Sequence, residues 1–234
     1  ALARQALGQY YLGQGQPFEA LWELDQARAL APNERAIRVD LATALAMASL
    51  YPEAETELRA AVQPPASRVG RQELAALHLA VGRPEDALGA LQGAPDLSEW
   101  REGQMLLGRA AEGLGQEARA RQAYERFIRL APENPEGPFR LAYLLLASGD
   151  PRGARSVLAV ALRKLPREAR FMQLMAMTYS ARWGDHEQPD REGQWLTNAL
   201  HAGGAVPAEL ALGELYLRHG RFREAGGALA PLAD

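Results

Sequence analysis

The chain of 234 residues has no cysteine, which removes disulfides, thiol nucleophiles and thiolate-held zinc. That absence does not choose a compartment. A disulfide-free chain suits the cytoplasm, and the periplasm as well if a leader has been removed. Lys164 is the only lysine, so positive charge is carried almost entirely by planar, forked guanidinium groups. No apolar run approaches the roughly 18 residues that a membrane-spanning helix needs, and no secretory leader stands at the start. The net charge of −3 lacks the basic excess of a dedicated nucleic-acid binder. Catalytic patterns are missing too. There is no nucleophile elbow, no glycine-rich phosphate loop leading into a lysine and no Ser-His-Asp order with supporting context. Asp185, His186 and Glu187 with Asp190 and Glu192 have metal-ligating side chains, but one nitrogen donor among carboxylates reads as a solvated acidic loop. The expectation is a non-catalytic protein with no cofactor, no metal, no nucleic acid and no membrane insertion.

What is present is helical periodicity. Leu107, Ala110, Ala111 and Leu114 form one apolar stripe, which Gly115 stops. Ala120, Ala123, Tyr124, Phe127 and Ile128 form a second, ended by Pro132. Both have the spacing of one buried helical face, and neither helix alone can bury its stripe. The pair recurs. Leu7-Gly8, Tyr11, Gly15, Ala20, Leu24, Ala27 and Pro32 match Leu107-Gly108, Ala111, Gly115, Ala120, Tyr124, Phe127 and Pro132. Leu141-Ala142, Leu145, Gly149, Ala154, Leu158, Ala161 and Pro166 match again, as do Leu212-Gly213, Tyr216, Gly220, Ala225 and Leu229. The small residue opening each second helix stands at 20, 54, 87, 120 and 154, in steps of 34, 33, 33 and 34. From 154 to 225 there is room for two repeats plus the insertion Trp183–Asp190. Pro64-Pro65 and Pro95 are expected to end the second helices of repeats two and three.

A fixed period of this length signals a stacked-repeat architecture. The pattern resembles the tetratricopeptide repeat family, in which Leu-Gly, an aromatic, a small residue, an aromatic or leucine, alanine and proline follow in that order. The resemblance covers essentially all of the chain and implies an all-α fold: a right-handed superhelix of fourteen helices in one domain, 1–234. The repeats would lie near 1–34, 35–67, 68–100, 101–134, 135–168, 169–205 and 206–234. Some positions depart from the family pattern. Arg4, Arg38 and Gln104 stand where it has an aromatic, and Trp100 precedes its expected place by four residues.

The family's groove positions implicate Gln5, Gln9, Asp40, Thr43, Met47, Gln72 and Glu73 in the N-terminal half. In the C-terminal half they implicate Met105, Arg109, Glu112, Glu136, Phe139, Arg140, Tyr143, Arg170, Gln173, Met177, Glu214 and Arg218. The family's clamp for chaperone C-termini is not reproduced, because Met105 and Leu174 replace basic residues. Arg109, Arg140 and Arg170 remain as guanidiniums that could converge on one anionic group; the alternative is that Glu112 and Glu136 neutralise them. Phe139 and Tyr143, four apart, would present adjacent rings in the groove, or enter the core if the frame slips by one. The expected function is a protein-binding scaffold or adaptor whose partner is a protein or peptide with an acidic group, held by Arg109, Arg140, Arg170, Phe139, Tyr143, Gln173 and Met177. Two other readings stay open: a structural module of a bacterial envelope, polysaccharide-export or pilus assembly, and a regulatory arm of a larger enzyme or transcription factor. His78 shares a repeat position with Tyr11 and Tyr216 and reads as packing. The last helix carries Ala225, Leu229 and Leu232 with no following repeat, so further chain or a second subunit is expected to cover that end.

Overall fold

The computed structural model describes residues 1–62, 68–94, 96–180, 182–183 and 187–232. Pro64, Pro65, Pro95, Gly184, Asp185 and His186 lie outside the described residues. Among the described residues the chain is all-α, and its helices follow in pairs along the sequence: α1 (Leu2–Gly13) and α2 (Pro17–Leu30); α3 (Arg35–Met47) and α4 (Tyr51–Ala61); α5 (Arg68–Ala80) and α6 (Pro84–Leu91); α7 (Arg101–Gly113) and α8 (Glu117–Leu130); α9 (Glu136–Ala147) and α10 (Pro151–Lys164); α11 (Ala169–Met177) and α12 (Pro189–His201); α13 (Ala205–Arg218) and α14 (Phe222–Leu229).

One turn joins the two helices of most pairs. Its closing bond runs from the amide of Gln16 to Tyr11 O, Leu50 to Leu45, Arg83 to His78, Gln116 to Ala111, Asp150 to Leu145 and Arg221 to Tyr216. This is the bond of a Schellman stop, which requires a left-handed residue between the helices. Gly15, Gly82, Gly115, Gly149 and Gly220 fill that position with φ between 68° and 79°. In the second repeat Ser49 is forced into the same conformation, φ 63°, where its Cβ is strained. Pro17, Pro84 and Pro151 then open the next helix at its first turn, where a missing amide costs nothing. Asp150 adds a side-chain cap by accepting from the Gly153 amide at 2.8 Å.

The chain forms two compact units, Ala1–Ala120 and Arg121–Asp234. In the first, each helix from α1 to α6 packs on the next, and the first helices also pack on one another, α1 on α3, α3 on α5 and α5 on α7. In the second, α9 packs on α10 and α11, α11 on α12, α12 on α13 and α13 on α14. Ala20, Ala54, Ala87, Ala120 and Ala154 are all fully buried, and Leu24, Leu58, Leu91, Tyr124 and Leu158 follow them inside. Close approach explains the small residues of the first helices. A Cβ on Gly8 would meet Leu24 Cγ at 2.5 Å, and one on Gly213 would meet Leu229 Cδ2 at 2.5 Å. Leu229 is half-buried against α13, and Phe222 on the same helix is exposed.

The departures from the repeat pattern have structural reasons. Trp100 is buried at the start of α7 after a 3₁₀ turn, Leu97–Glu99. It lies against Gly103, where a Cβ would come within 2.5 Å of its ring. Gln104, standing where an aromatic is usual, is buried beside it and donates to Leu97 O at 2.6 Å. The displaced tryptophan and the glutamine together fill the space of one aromatic and close the end of the short α6. In the sixth pair, α11 ends early at Met177, and Thr178 and Ser180 turn their hydroxyls back onto Met175 O and Met177 O.

Candidate functional site

Of the residues expected to hold a partner, the second unit contains Phe139, Arg140, Tyr143, Arg170, Gln173 and Met177. Glu136 is in the first turn of α9, and Arg140 is one turn further along the same face. Arg140 Nε donates to Glu136 Oε1 at 2.8 Å, and Arg170 Nη1, from the start of α11, donates to Glu136 Oε2 at 3.2 Å. Arg170 Nε also donates to Glu168 at 2.9 Å, and its guanidinium lies over the Phe139 ring at 5.1 Å. The side chains of Glu136, Arg140 and Arg170 are 34 to 43% exposed, so the cluster is open to solvent. Burial alone would raise the Glu136 carboxyl; the hydrogen bonds and charges of Arg140 and Arg170 outweigh it and hold that carboxyl below the usual carboxylate value.

Arg140 and Arg170 do come together, and Glu136 sits between them. Glu168 belongs to the same network, although the repeat frame did not mark it. Tyr143 is 41% exposed and Phe139 half-buried, so neither is a core residue. Gln173 donates weakly to Gly204 O at 3.4 Å, and Met177 is half-buried at the end of α11. Met175 and Leu174 are buried packing residues. Arg109 is exposed on α7 in the first unit. Arg218 is committed elsewhere. It donates to Glu192 at 3.1 Å and lies 3.5 Å from Glu187, which also meets His219 at 3.2 Å. Glu192 is buried, and that burial, against the opposing pull of Arg218, raises its carboxyl above the usual value. Of the suggested metal-ligating residues, Asp185 and His186 lie outside the described residues, and the described ones include no group that could hold a metal ion.

In the first unit the same frame position gives a different surface. Gln5 and Gln9 of α1 both donate to Asp40 Oδ2 of α3, at 2.7 and 2.8 Å. Thr43, Met47 and Glu73 line a cavity of about 330 Å³ together with Tyr51, Ala76 and Ala80. Burial there raises the Glu73 carboxyl, with a weak opposing contact from Gln72. His78 is 2% exposed, and its Nδ1 has no hydrogen-bond partner. Burial lowers its pKa, against the pull of Glu55 and Asp86. No described helix is long and apolar enough to cross a membrane.

Comparison with known proteins bears on the fold and the family. Two tetratricopeptide repeat profiles match, one over residues 6–68 and 73–135 and the other over 111–177. Among solved structures, PilF of Pseudomonas aeruginosa superposes with a TM-score of 0.71 at 20% identity, over 92% of this chain and 96% of its own. MamA of Desulfovibrio magneticus does so with 0.63 at 20% identity, over 71% and 95%. YrrB, a tetratricopeptide repeat protein with an unusual peptide-binding site, gives 0.60 at 16% identity over 81% and 95%. At these identities the likeness is one of fold. Curated proteins yield no match.

Proposed function

Since the chain belongs to the tetratricopeptide repeat family, whose members are typically non-catalytic scaffolds for other proteins, we propose that its second unit holds an acidic peptide segment of a partner on the face shared by α9 and α11. The observation that carries this reading is the single Glu136 carboxylate between the Arg140 and Arg170 guanidiniums. An incoming carboxylate exchanges with Glu136 and meets donors already aimed and spaced. Arginine recognises carboxylates through such forked, directional bonds. Phe139 fixes the Arg170 plane from one side, and the exposed Tyr143 ring, one turn beyond Phe139, offers the peptide an aromatic contact. Gln173 and Met177 flank this face on α11. A rigid helical surface leaves the ordering cost largely with the peptide. The binding site of YrrB supports the reading by family likeness. Arg109 lies in the first unit, and the reading rests on the pair within the second.

The test is fluorescence polarisation with labelled acidic decapeptides and their Gln/Asn counterparts, on the wild type and on R140A/R170A. The wild type should bind the acidic series more tightly, and the double variant should lose that preference while keeping its circular dichroism. Equal binding of both series by the wild type refutes the site.

A further inference from the structure

A second cavity lies in the same unit, away from the Glu136 cluster. Its volume is about 340 Å³, and its walls come from the end of α8 (Ile128), Pro132, the start of α9 (Pro138, Leu141) and the outer side of α10 (Val157, Val160). Ser156 and Lys164 stand among the lining residues, which include no carboxylate. Gly137 brings α8 and α9 together beneath it, since a Cβ there would meet Phe127 at 2.7 Å and Ile128 at 2.8 Å.

Two features mark this cavity as more than a packing gap. The first is the valines. At the repeat positions of Val157 and Val160, the second helices of repeats one, two and four carry Glu23 and Gln26, Glu57 and Ala60, and Ala123 and Arg126, and the sixth carries Trp195 and Asn198. Valine is a weaker helix former than the residues of repeats one, two and four, and Val160 is 49% exposed. A local choice that serves neither helix nor solubility points to a site. The second is Lys164, the chain's only lysine. It forms no ion pair among the described residues and lines a wall that is apolar apart from it and Ser156. An apolar cavity of a few hundred Å³ with one or two placed polar groups is the usual form of a small-molecule site.

We propose that this cavity binds a medium-chain carboxylate, with its alkyl chain against Val157, Val160, Leu141 and Ile128 and its head group on Lys164. The size argues for a chain rather than a single peptide side chain. A cavity of about 150 Å³ accepts benzene, so the space here takes roughly ten to twelve carbons. One cation and no lining carboxylate select a monoanion. The site lies on α8, α9 and α10 rather than on the α9–α11 face, so it is independent of the peptide reading.

The experiment is a titration with decanoate, decanol and decylamine below their self-association limits. Binding is followed by calorimetry and by the valine methyl resonances of the ¹³C-labelled protein. Decanoate should bind and shift the Val157 and Val160 methyls, decanol should bind about three- to fivefold more weakly, and decylamine should bind least. K164Q should bring decanoate down to the level of decanol and leave decanol unchanged. V160T, a near-isosteric change, should weaken both. The proposal is overturned if decanoate leaves the Val157 and Val160 methyls unmoved at 1 mM, or if K164Q binds decanoate as the wild type does. R140A/R170A should not alter decanoate binding; if it does, the two sites are not independent and the assignment to this cavity falls.

Discussion

Replacing Glu136 by Gln is the sharpest perturbation of the α9–α11 face. The change keeps the size of the side chain and removes one charge from between two guanidiniums, at contacts of 2.8 and 3.2 Å. All three side chains are at least a third exposed, so each ion pair contributes only about 0.2–1 kcal/mol. Glu136 also lies in the first turn of α9, where a negative charge is favourable by roughly 0.3–1 kcal/mol. E136Q should therefore lower stability by about 1–2 kcal/mol at low salt. The opposite sign is expected for binding. The wild type must displace its own carboxylate from Arg140 and Arg170 when an acidic peptide arrives, and the variant need not. Relief of one or two such pairs is worth about a two- to tenfold gain in affinity for acidic decapeptides. In 0.5 M NaCl the gain should shrink, because exposed charges are screened over a few ångströms. Paired measurements of urea unfolding and fluorescence polarisation, at low and high salt, read both effects. A variant that is less stable and binds acidic peptides no better than the wild type would show that Glu136 is structural and that the guanidiniums do not receive a ligand there.

Three further outcomes follow from the scaffold. Ser49→Gly should raise stability by about 0.5–1 kcal/mol in urea unfolding, because relief of the left-handed strain, roughly 1–2 kcal/mol, exceeds the added freedom of the unfolded chain; a loss of stability would mean that the serine side chain compensates its strain. Trp100→Ala should cost about 3–5 kcal/mol, seen in hydrogen exchange as lost protection in α6 and α7 with α1 and α2 preserved, since stacked repeats couple mainly to their neighbours. Protection lost evenly from α1 to α7 would contradict that. His78 has its pKa lowered by burial, so near pH 6 the unfolded chain binds more protons than the folded one. Its contribution is complete above the ordinary histidine value of about 6.5 and is lost as pH falls through the depressed folded value. His78→Phe should flatten the fall in melting temperature between pH 7.5 and 5.5, and an unchanged slope would locate the acid sensitivity elsewhere.

The fold was readable because its determinants are backbone ones and recur. Ala20 and Ala154 mark where two helices touch, and Gly15 and Gly149 mark where the chain must turn left-handed. Each repeat confirms the frame of the others. Ser49 holds its place in that frame although its residue type argues against it. The site was less legible. Register placed Arg140 and Arg170 on neighbouring first helices, but it did not show that both would settle on Glu136, because long side chains choose partners by rotamer and not by position. Glu168 lies just outside the helix and outside any groove frame, so nothing flagged it. The cavity beside α10 did leave a trace, in two valines where the first, second and fourth repeats carry polar or small residues, but that trace is visible only when second helices are compared at positions facing away from the core.

The solitary lysine at the cavity edge gives the molecule a chemical address. With one side-chain amine in the whole chain, amine-directed acylation of this chain can mark only Lys164 and the α-amino group. Its rate of labelling becomes a meter of what lies against α10. A bound carboxylate would slow it, an empty cavity would leave it fast, and a fluorophore attached there would report from that surface without a cysteine having to be introduced.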